Sequence, residues 1–361
     1  MDFFYRVRFP LMAMGMLSLL TGIWAGLLRF GWDFPTPIAH LAAIHGPLMV
    51  CGFLGTVIGL ERAVALGRPW GYAAPLFAAL GGVTVLVLDD AKTGIALFIV
   101  SSVLLAAIYA AILSKQFAMF NVTMALGALA WMAGNLLWFI GRPVEDFVLW
   151  WAAFVILTIA GERLELSRFM EPPPVARRLF PAAIGVLLAG SVLTTVSSAT
   201  GIKAAALGML FTALWLARFD IARRTVRQTG LTRFVAICLL SGYFWLGLGG
   251  VLLFPQPAWG PGNGYDAVLH CVFLGFAFSM IFGHAPIIFP AVLRVAVPYR
   301  PAFYVHFAVL QATLLLRVAS DVMGWESGRM WGGLLNALAL VAFLINTVIS
   351  VRRGRGNTVE R

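Results

Sequence analysis

Long apolar segments separated by short polar ones run along the whole chain. Most apolar segments hold about 20 residues, which is the length an α-helix needs to cross the ~30 Å hydrocarbon core of a bilayer. The segments are continuously apolar, and this pattern excludes the alternating strands of a membrane barrel. Division at Gly, Pro and charge clusters predicts twelve spans: 9–29, 39–61, 71–88, 93–113, 117–141, 146–166, 178–197, 202–219, 232–254, 265–288, 302–323 and 329–350.

The composition agrees with this pattern. The 361 residues are 61% hydrophobic and 11% charged, whereas a soluble domain carries about 25% charged residues. We therefore predict an all-α polytopic membrane protein with one transmembrane domain over residues 1–361, and the lipid bilayer is its first partner. The net charge of +11 is spread over short loops instead of forming a patch, so nucleic acid is excluded as a partner.

The Lys and Arg residues are concentrated in every second segment between the predicted spans. If the N-terminus is cytoplasmic, the inner segments, which include the C-terminal Arg361, hold 20 of the 26 Lys and Arg residues. Cytoplasmic loops of membrane proteins carry such an excess. The sequence thus predicts cytoplasmic N and C termini in a multi-pass protein of the bacterial inner membrane.

Three predicted spans, four spans apart, contain related sequences: "GFLGTVIGLER", "AFVILTIAGER" and "GFAFSMIFGHA". In each, a Phe lies eight residues before, and an Ile three residues before, Glu61, Glu162 or His284. The spacing favours three pseudo-repeated four-helix units. Chance similarity between apolar helices is the alternative.

Five histidines fall in or near the predicted spans. The topology places His40, His45 and His270 toward the outer side, and His284 and His306 toward the inner side. An ionisable residue at membrane depth indicates function by default. His45 and His270 share a depth on repeat-related helices, and two imidazoles facing each other in a helical bundle can ligate haem iron. Packing histidines with hydrogen-bonded rings are the alternative.

Arg317 lies at the outer end of span 11, where it could bind the propionates of such a haem. Its alternative role is an arginine that extends to the membrane interface. The predicted cofactor is therefore haem b, bound by His45, His270 and Arg317.

The inner side carries Glu61, Glu162, His284 and His306. Carboxylates with imidazoles form the ligand set of a non-haem metal, so these four residues are candidate ligands of an additional metal, iron or copper. The alternative is structural: Arg62 and Arg163 neutralise the glutamates, and His284 bonds a main-chain carbonyl that the following proline leaves free.

Twelve helices in three four-helix arcs, with His45 on helix 2 and His270 on helix 10, resemble the catalytic subunit of haem–copper oxidases and nitric oxide reductases. In that family a histidine from each of these two helices binds a low-spin haem, and an arginine following helix 11 binds its propionates; Arg317 is the matching candidate. The segment "HGPLMVCGF" from His45 resembles a signature of NnrS proteins, haem-containing membrane proteins associated with nitric oxide stress. Pro47 stands where that family has a second histidine.

The resemblance has a second limit. Haem–copper enzymes carry metal-binding histidines on helices 6 and 7 and a second haem ligand near the first on helix 10. Spans 6 and 7 contain no histidine here, and residues 268 and 272 are both Val. The usual binuclear centre cannot be built in its usual place.

Three functions remain open. The first is a haem b-binding protein linked to nitric oxide or respiratory electron transfer, with quinol, a small c-type cytochrome or nitric oxide as partners. The second is an oxidoreductase, nitric oxide-reducing or other, that uses the inner metal; its catalytic residues are unassigned. The third is a twelve-helix transporter of haem or a metal.

Overall fold

A computed structural model describes residues 2–36, 38–88, 91–195, 197–257 and 259–359. This part of the chain is 85% helix and contains no strands. Arg361, which was counted in the predicted charge distribution, lies outside the described residues.

Twelve helices within the described ranges are long and apolar enough to cross a membrane. They match the twelve predicted spans one for one, so the predicted all-helical membrane fold is confirmed at this level, and such helices contact lipid. The helices are α1 (Asp2–Arg29), α2 (Leu41–Leu66), α3 (Pro69–Val87), α4 (Ala91–Leu113), α5 (Met119–Phe139), α6 (Val144–Ser167), α7 (Pro174–Thr194), α8 (Ser198–Phe219), α9 (Gly230–Leu253), α10 (Asn263–Leu293), α11 (Phe303–Met323) and α12 (Glu326–Val359).

The terminal helices extend beyond their predicted spans. The first begins at Asp2 rather than at residue 9, and the last ends at Val359 rather than at residue 350. The prediction ended these spans where arginines begin, because charged residues leave the hydrocarbon. Arginine is nevertheless a good helix former, so the helix continues after its hydrophobic segment has ended.

The chain divides into two compact units, Met1–Phe147 and Val148–Arg361. In the first unit, α1 packs on α2 and α3, and α4 packs on α3 and α5. In the second unit, α8 packs between α7 and α9, α9 packs on α10, and α11 pairs with α12. The single transmembrane domain over residues 1–361 stays a prediction.

Two of the twelve helices contain π-helical segments. In α2 the segment Leu48–Leu54 begins three residues after His45, and in α10 the segment Cys271–Phe278 begins directly after His270. A π-helical turn uses i→i+5 hydrogen bonds, is rare, and occurs often at functional sites. Both candidate haem ligands thus lie beside an unusual backbone.

Candidate functional site

His45 lies in the first turns of α2 and is held by the backbone of α1. Its Nδ1 is 2.7 Å from the carbonyl oxygen of Gly22. A carbonyl oxygen only accepts, so Nδ1 carries the proton, and in the neutral ring Nε2 keeps its lone pair. Gly26 leaves room for the imidazole ring, because a Cβ at that position would lie 2.9 Å from Cε1 of His45.

His270 lies at the N-terminal end of α10 in the second unit. Its Nδ1 is 2.8 Å from the carbonyl oxygen of Asp266 and 3.4 Å from Oδ1 of the same residue. Nδ1 therefore donates its proton to Asp266, and Nε2 is again the unprotonated nitrogen. The two candidate haem ligands share the same tautomer.

Arg317 of α11 makes an ion pair with Asp266. Nε lies 3.1 Å from Oδ2, and NH2 lies 2.9 Å from Oδ2 and 3.2 Å from Oδ1. Arg317 is buried, and the backbone of α12 passes against its backbone and Cβ, because a Cβ at Gly332 would lie 2.8 Å from Cβ of Arg317. One turn along α11, Asp321 pairs with Arg329 of α12.

The sequence did not single out Asp266. It precedes His270 by four positions, so a carboxylate one helical turn before a membrane histidine was an available signal. The propionate contact of Arg317 stays a prediction, but its guanidinium already has a carboxylate partner within the chain.

His284 lies in the C-terminal part of α10. Its Nδ1 donates to the carbonyl oxygen of Met280 at 2.8 Å, and its Nε2 accepts a hydrogen bond from NH1 of Arg163 at 3.2 Å. The nitrogen that would ligate a metal is therefore used as an acceptor. The alternative prediction was a carbonyl freed by the following proline; His284 does bond a main-chain carbonyl, but that of Met280 instead of that of Phe282, which Pro286 frees.

Arg163 forms its ion pair with Asp220, which follows α8. Nε lies 3.0 Å from Oδ2 of Asp220, and the other carboxylate oxygen accepts a hydrogen bond from the backbone N–H of Ala222 at 2.7 Å. Arg163 is 3% exposed and Asp220 is fully buried. The structural alternative paired Arg163 with the adjacent Glu162, and that pairing stays a prediction. The Asp220 partner carried no signal in the sequence, since the two residues lie 57 positions apart.

Glu61 makes the ion pair that the structural alternative predicted. Its Oε1 lies 2.5 Å from NH2 of Arg62. A second nitrogen of Arg62 lies 3.7 Å from the sulfur of Met124 on α5. The positive charge of Arg62 therefore lies directly against the Glu61 carboxylate, which is one of the four predicted metal ligands.

His306 is packed as an aromatic ring. It is 1% exposed, and the rings of Phe282, Phe303 and Phe343 lie 4.8, 5.8 and 5.4 Å from it, centre to centre. Nδ1 faces the amide nitrogen of Asn346 at 3.5 Å, and Nε2 makes no hydrogen bond. These neighbours supply no further metal ligand.

Within the described ranges, no group of three or more His, Cys, Asp or Glu side chains could hold a metal ion. The metal site predicted from Glu61, Glu162, His284 and His306 stays a hypothesis without a geometric argument in its favour.

A family model described as a domain of unknown function, DUF8744, matches residues 8–352. No curated protein matches the chain.

Proposed function

The chain belongs to the DUF8744 family, and from the tautomers of two of its histidines we propose that it is a haem b-binding membrane protein with His45 and His270 as axial ligands. The observation that carries the proposal is common to both residues. Each donates its Nδ1 proton to a main-chain carbonyl oxygen, at 2.7 and 2.8 Å. Metal-ligating histidines almost always donate the N–H of their other ring nitrogen in this way. With the proton on Nδ1, the lone pair that can ligate iron is that of Nε2.

Haem, when bound, supplies one-electron redox chemistry and small-molecule binding. The residues of this chain fix the direction and tautomer of each imidazole, and the apolar helices exclude water. The proposed role is electron transfer or nitric oxide chemistry in the bacterial inner membrane. Quinol, a small c-type cytochrome and nitric oxide are the proposed partners, and the resemblance to NnrS and haem–copper proteins belongs to the same proposal.

The three-unit repeat is a further part of the proposal. A π-helical segment occurs in α2 and in α10, the helices that occupy corresponding positions in two of the units. The third corresponding helix, α6, is α-helical from Val144 to Ser167. The likeness of α2 and α10 supports a common origin for those two helices.

An oxidoreductase with a second metal is the weaker alternative. Glu61 is paired with Arg62, and Nε2 of His284 accepts from Arg163. Both contacts favour a protein without a second metal. No particular contact favours a transporter of haem or a metal.

The visible absorption spectrum of the purified protein tests the proposal. We expect a low-spin b-type spectrum in the wild type that is lost in His45→Ala and in His270→Ala, while both variants remain folded. His40→Ala is the matched control: His40 is also held by a carbonyl oxygen, through Nε2 to Val85 at 3.0 Å, and its loss should leave the spectrum unchanged.

The ratio of haem to protein tests whether the two histidines serve one haem. One haem per chain that is lost in either variant supports the pair. A haem-free wild type, or wild-type spectra in both variants, overturns the proposal.

A further inference from the structure

We infer that Asp266 is the positioning residue of the His270 ligand, and that Arg317 acts on this ligand through Asp266 instead of through a haem propionate. The inference rests on the proposed function, because it assigns to His270 the role of an axial ligand.

Asp266 contacts the imidazole with two of its oxygens. Its carbonyl oxygen lies 2.8 Å and its Oδ1 lies 3.4 Å from Nδ1 of His270. The carbonyl fixes the tautomer, and the carboxylate adds a negative charge beside the same N–H. A carboxylate in this position raises the basicity of the ligand nitrogen and orients the ring.

Arg317 holds this carboxylate in place. Three hydrogen bonds of 2.9 to 3.2 Å join the guanidinium to both carboxylate oxygens. Such bidentate pairs are rigid as well as strong. Arg317 is buried, so water screens its attraction to the Asp266 carboxylate only weakly.

The neighbouring charges form an ion pair of their own. Asp321, one turn along α11, is bound by Arg329 of α12. The two acids and two bases at this end of α10–α12 thus form two ion pairs, and the one that contains Arg317 is the one that touches His270.

The expected electrostatic consequence has a definite sign. A negative charge on the ligand stabilises the ferric state, so Asp266→Asn raises the midpoint potential of the haem while it keeps the carbonyl oxygen and the size of the side chain. Asp266→Glu keeps the charge and should give a smaller shift. Arg317→Gln removes the positive charge that balances Asp266 and should lower the potential.

The test is a double-mutant cycle with four proteins: wild type, Asp266→Asn, Arg317→Gln and the double variant. The midpoint potential is measured by redox titration of the haem absorbance, and haem content is measured in parallel. If Arg317 acts through Asp266, its shift largely disappears in the Asp266→Asn background. The double variant also guards against misfolding of either single variant, because removal of both partners of a buried pair costs less than removal of one.

Asp220→Asn is the control, since it removes the carboxylate of another Asp–Arg pair, more deeply buried, that does not touch a proposed ligand. It should leave the potential unchanged. Equal shifts from Arg317→Gln in both backgrounds overturn the inference and assign Arg317 to the propionates. An unchanged potential in haem-loaded Asp266→Asn overturns it as well. A wild type without haem overturns the proposed function itself.

Discussion

Each end of α10 carries a histidine beside an aspartate and an arginine, but the charged residue that touches the histidine differs between the two ends. His270 and His284 each donate the Nδ1 proton to a carbonyl oxygen four residues earlier, both at 2.8 Å. Each also lies beside an Asp–Arg ion pair. At His270 the aspartate touches the imidazole and the arginine lies behind it. At His284 the arginine touches the imidazole and the aspartate lies behind it.

Whether the aspartate or the arginine touches the imidazole decides whether its Nε2 can ligate a metal. A carboxylate beside Nδ1 makes Nε2 a better ligand. A guanidinium N–H directed at Nε2 occupies the lone pair that a metal would need. One helix therefore carries a histidine suited to ligation and a histidine that is part of a structural network. The presence of a histidine in a membrane helix does not distinguish the two; its first charged neighbour does.

The largest effect is expected from breaking the ion pair behind His284. Arg163→Met leaves the fully buried carboxylate of Asp220 without its cation, and we expect the free energy of unfolding to fall by about 3–5 kcal/mol. Equilibrium unfolding in detergent measures the loss. The fraction that stays folded should keep the wild-type haem spectrum.

The matched control is the double variant Arg163→Met with Asp220→Leu, which removes both charges. It should recover a large part of the lost stability, because no charge is left buried alone. A single variant as stable as the wild type would contradict the structural role of this pair.

The next effect concerns His45, whose Nδ1 donates to a neutral backbone carbonyl. Gly26→Val adds a branched side chain where even a Cβ would lie 2.9 Å from the ring. The ring must move away from Gly22, and haem affinity should fall by about 10- to 100-fold, as for other losses of ligand support. Titration of the apoprotein with haem measures the affinity.

Gly185→Ala is the control for this substitution. Gly185 lies within α7, and nothing lies within 4 Å of the position of an added Cβ. The control should bind haem as the wild type does. Equal losses in both variants would show that any added volume in these helices disturbs the protein.

A smaller effect is expected from His284→Leu. The NH1 group of Arg163 loses its acceptor at 3.2 Å but keeps the ion pair of its Nε with Asp220. An unsatisfied buried donor costs about 1–3 kcal/mol. Elemental analysis should show the same metal content as in the wild type; loss of a metal other than haem iron would revive the predicted metal site.

The smallest effect is expected from His306→Phe. The imidazole already lies among phenylalanine rings, and its hydrogen bond to Asn346 is long at 3.5 Å. Replacement by an apolar ring should change the free energy of unfolding by less than about 1 kcal/mol. A loss of several kcal/mol would mean that the buried nitrogens of His306 bind something that the packing does not reveal.

The twelve helices were predictable because about twenty apolar residues in succession is a strong and local signal. The histidines could also be selected from the sequence. Their partners could not, because Arg317 and Asp266 lie 51 positions apart and Arg163 and Asp220 lie 57 apart. Pairing by adjacency succeeded for Glu61 and Arg62. It could not find Asp220 as a partner of Arg163, because the two residues lie on different elements.

The π-helical segment between His270 and His284 sets the rotational phase of α10. In an uninterrupted α-helix, side chains fourteen positions apart point in directions only about 40° apart. Each extra residue taken up by a π-helical turn rotates everything that follows by about 100° relative to that α-helix. Cys271–Phe278 therefore sets the direction in which α10 presents His284 to the arginine of α6, relative to the direction of His270, whose aspartate precedes the segment on the same helix and is held by α11. The π-helical segment thus helps to give the two ends of one helix separate neighbours, and with them separate chemistry.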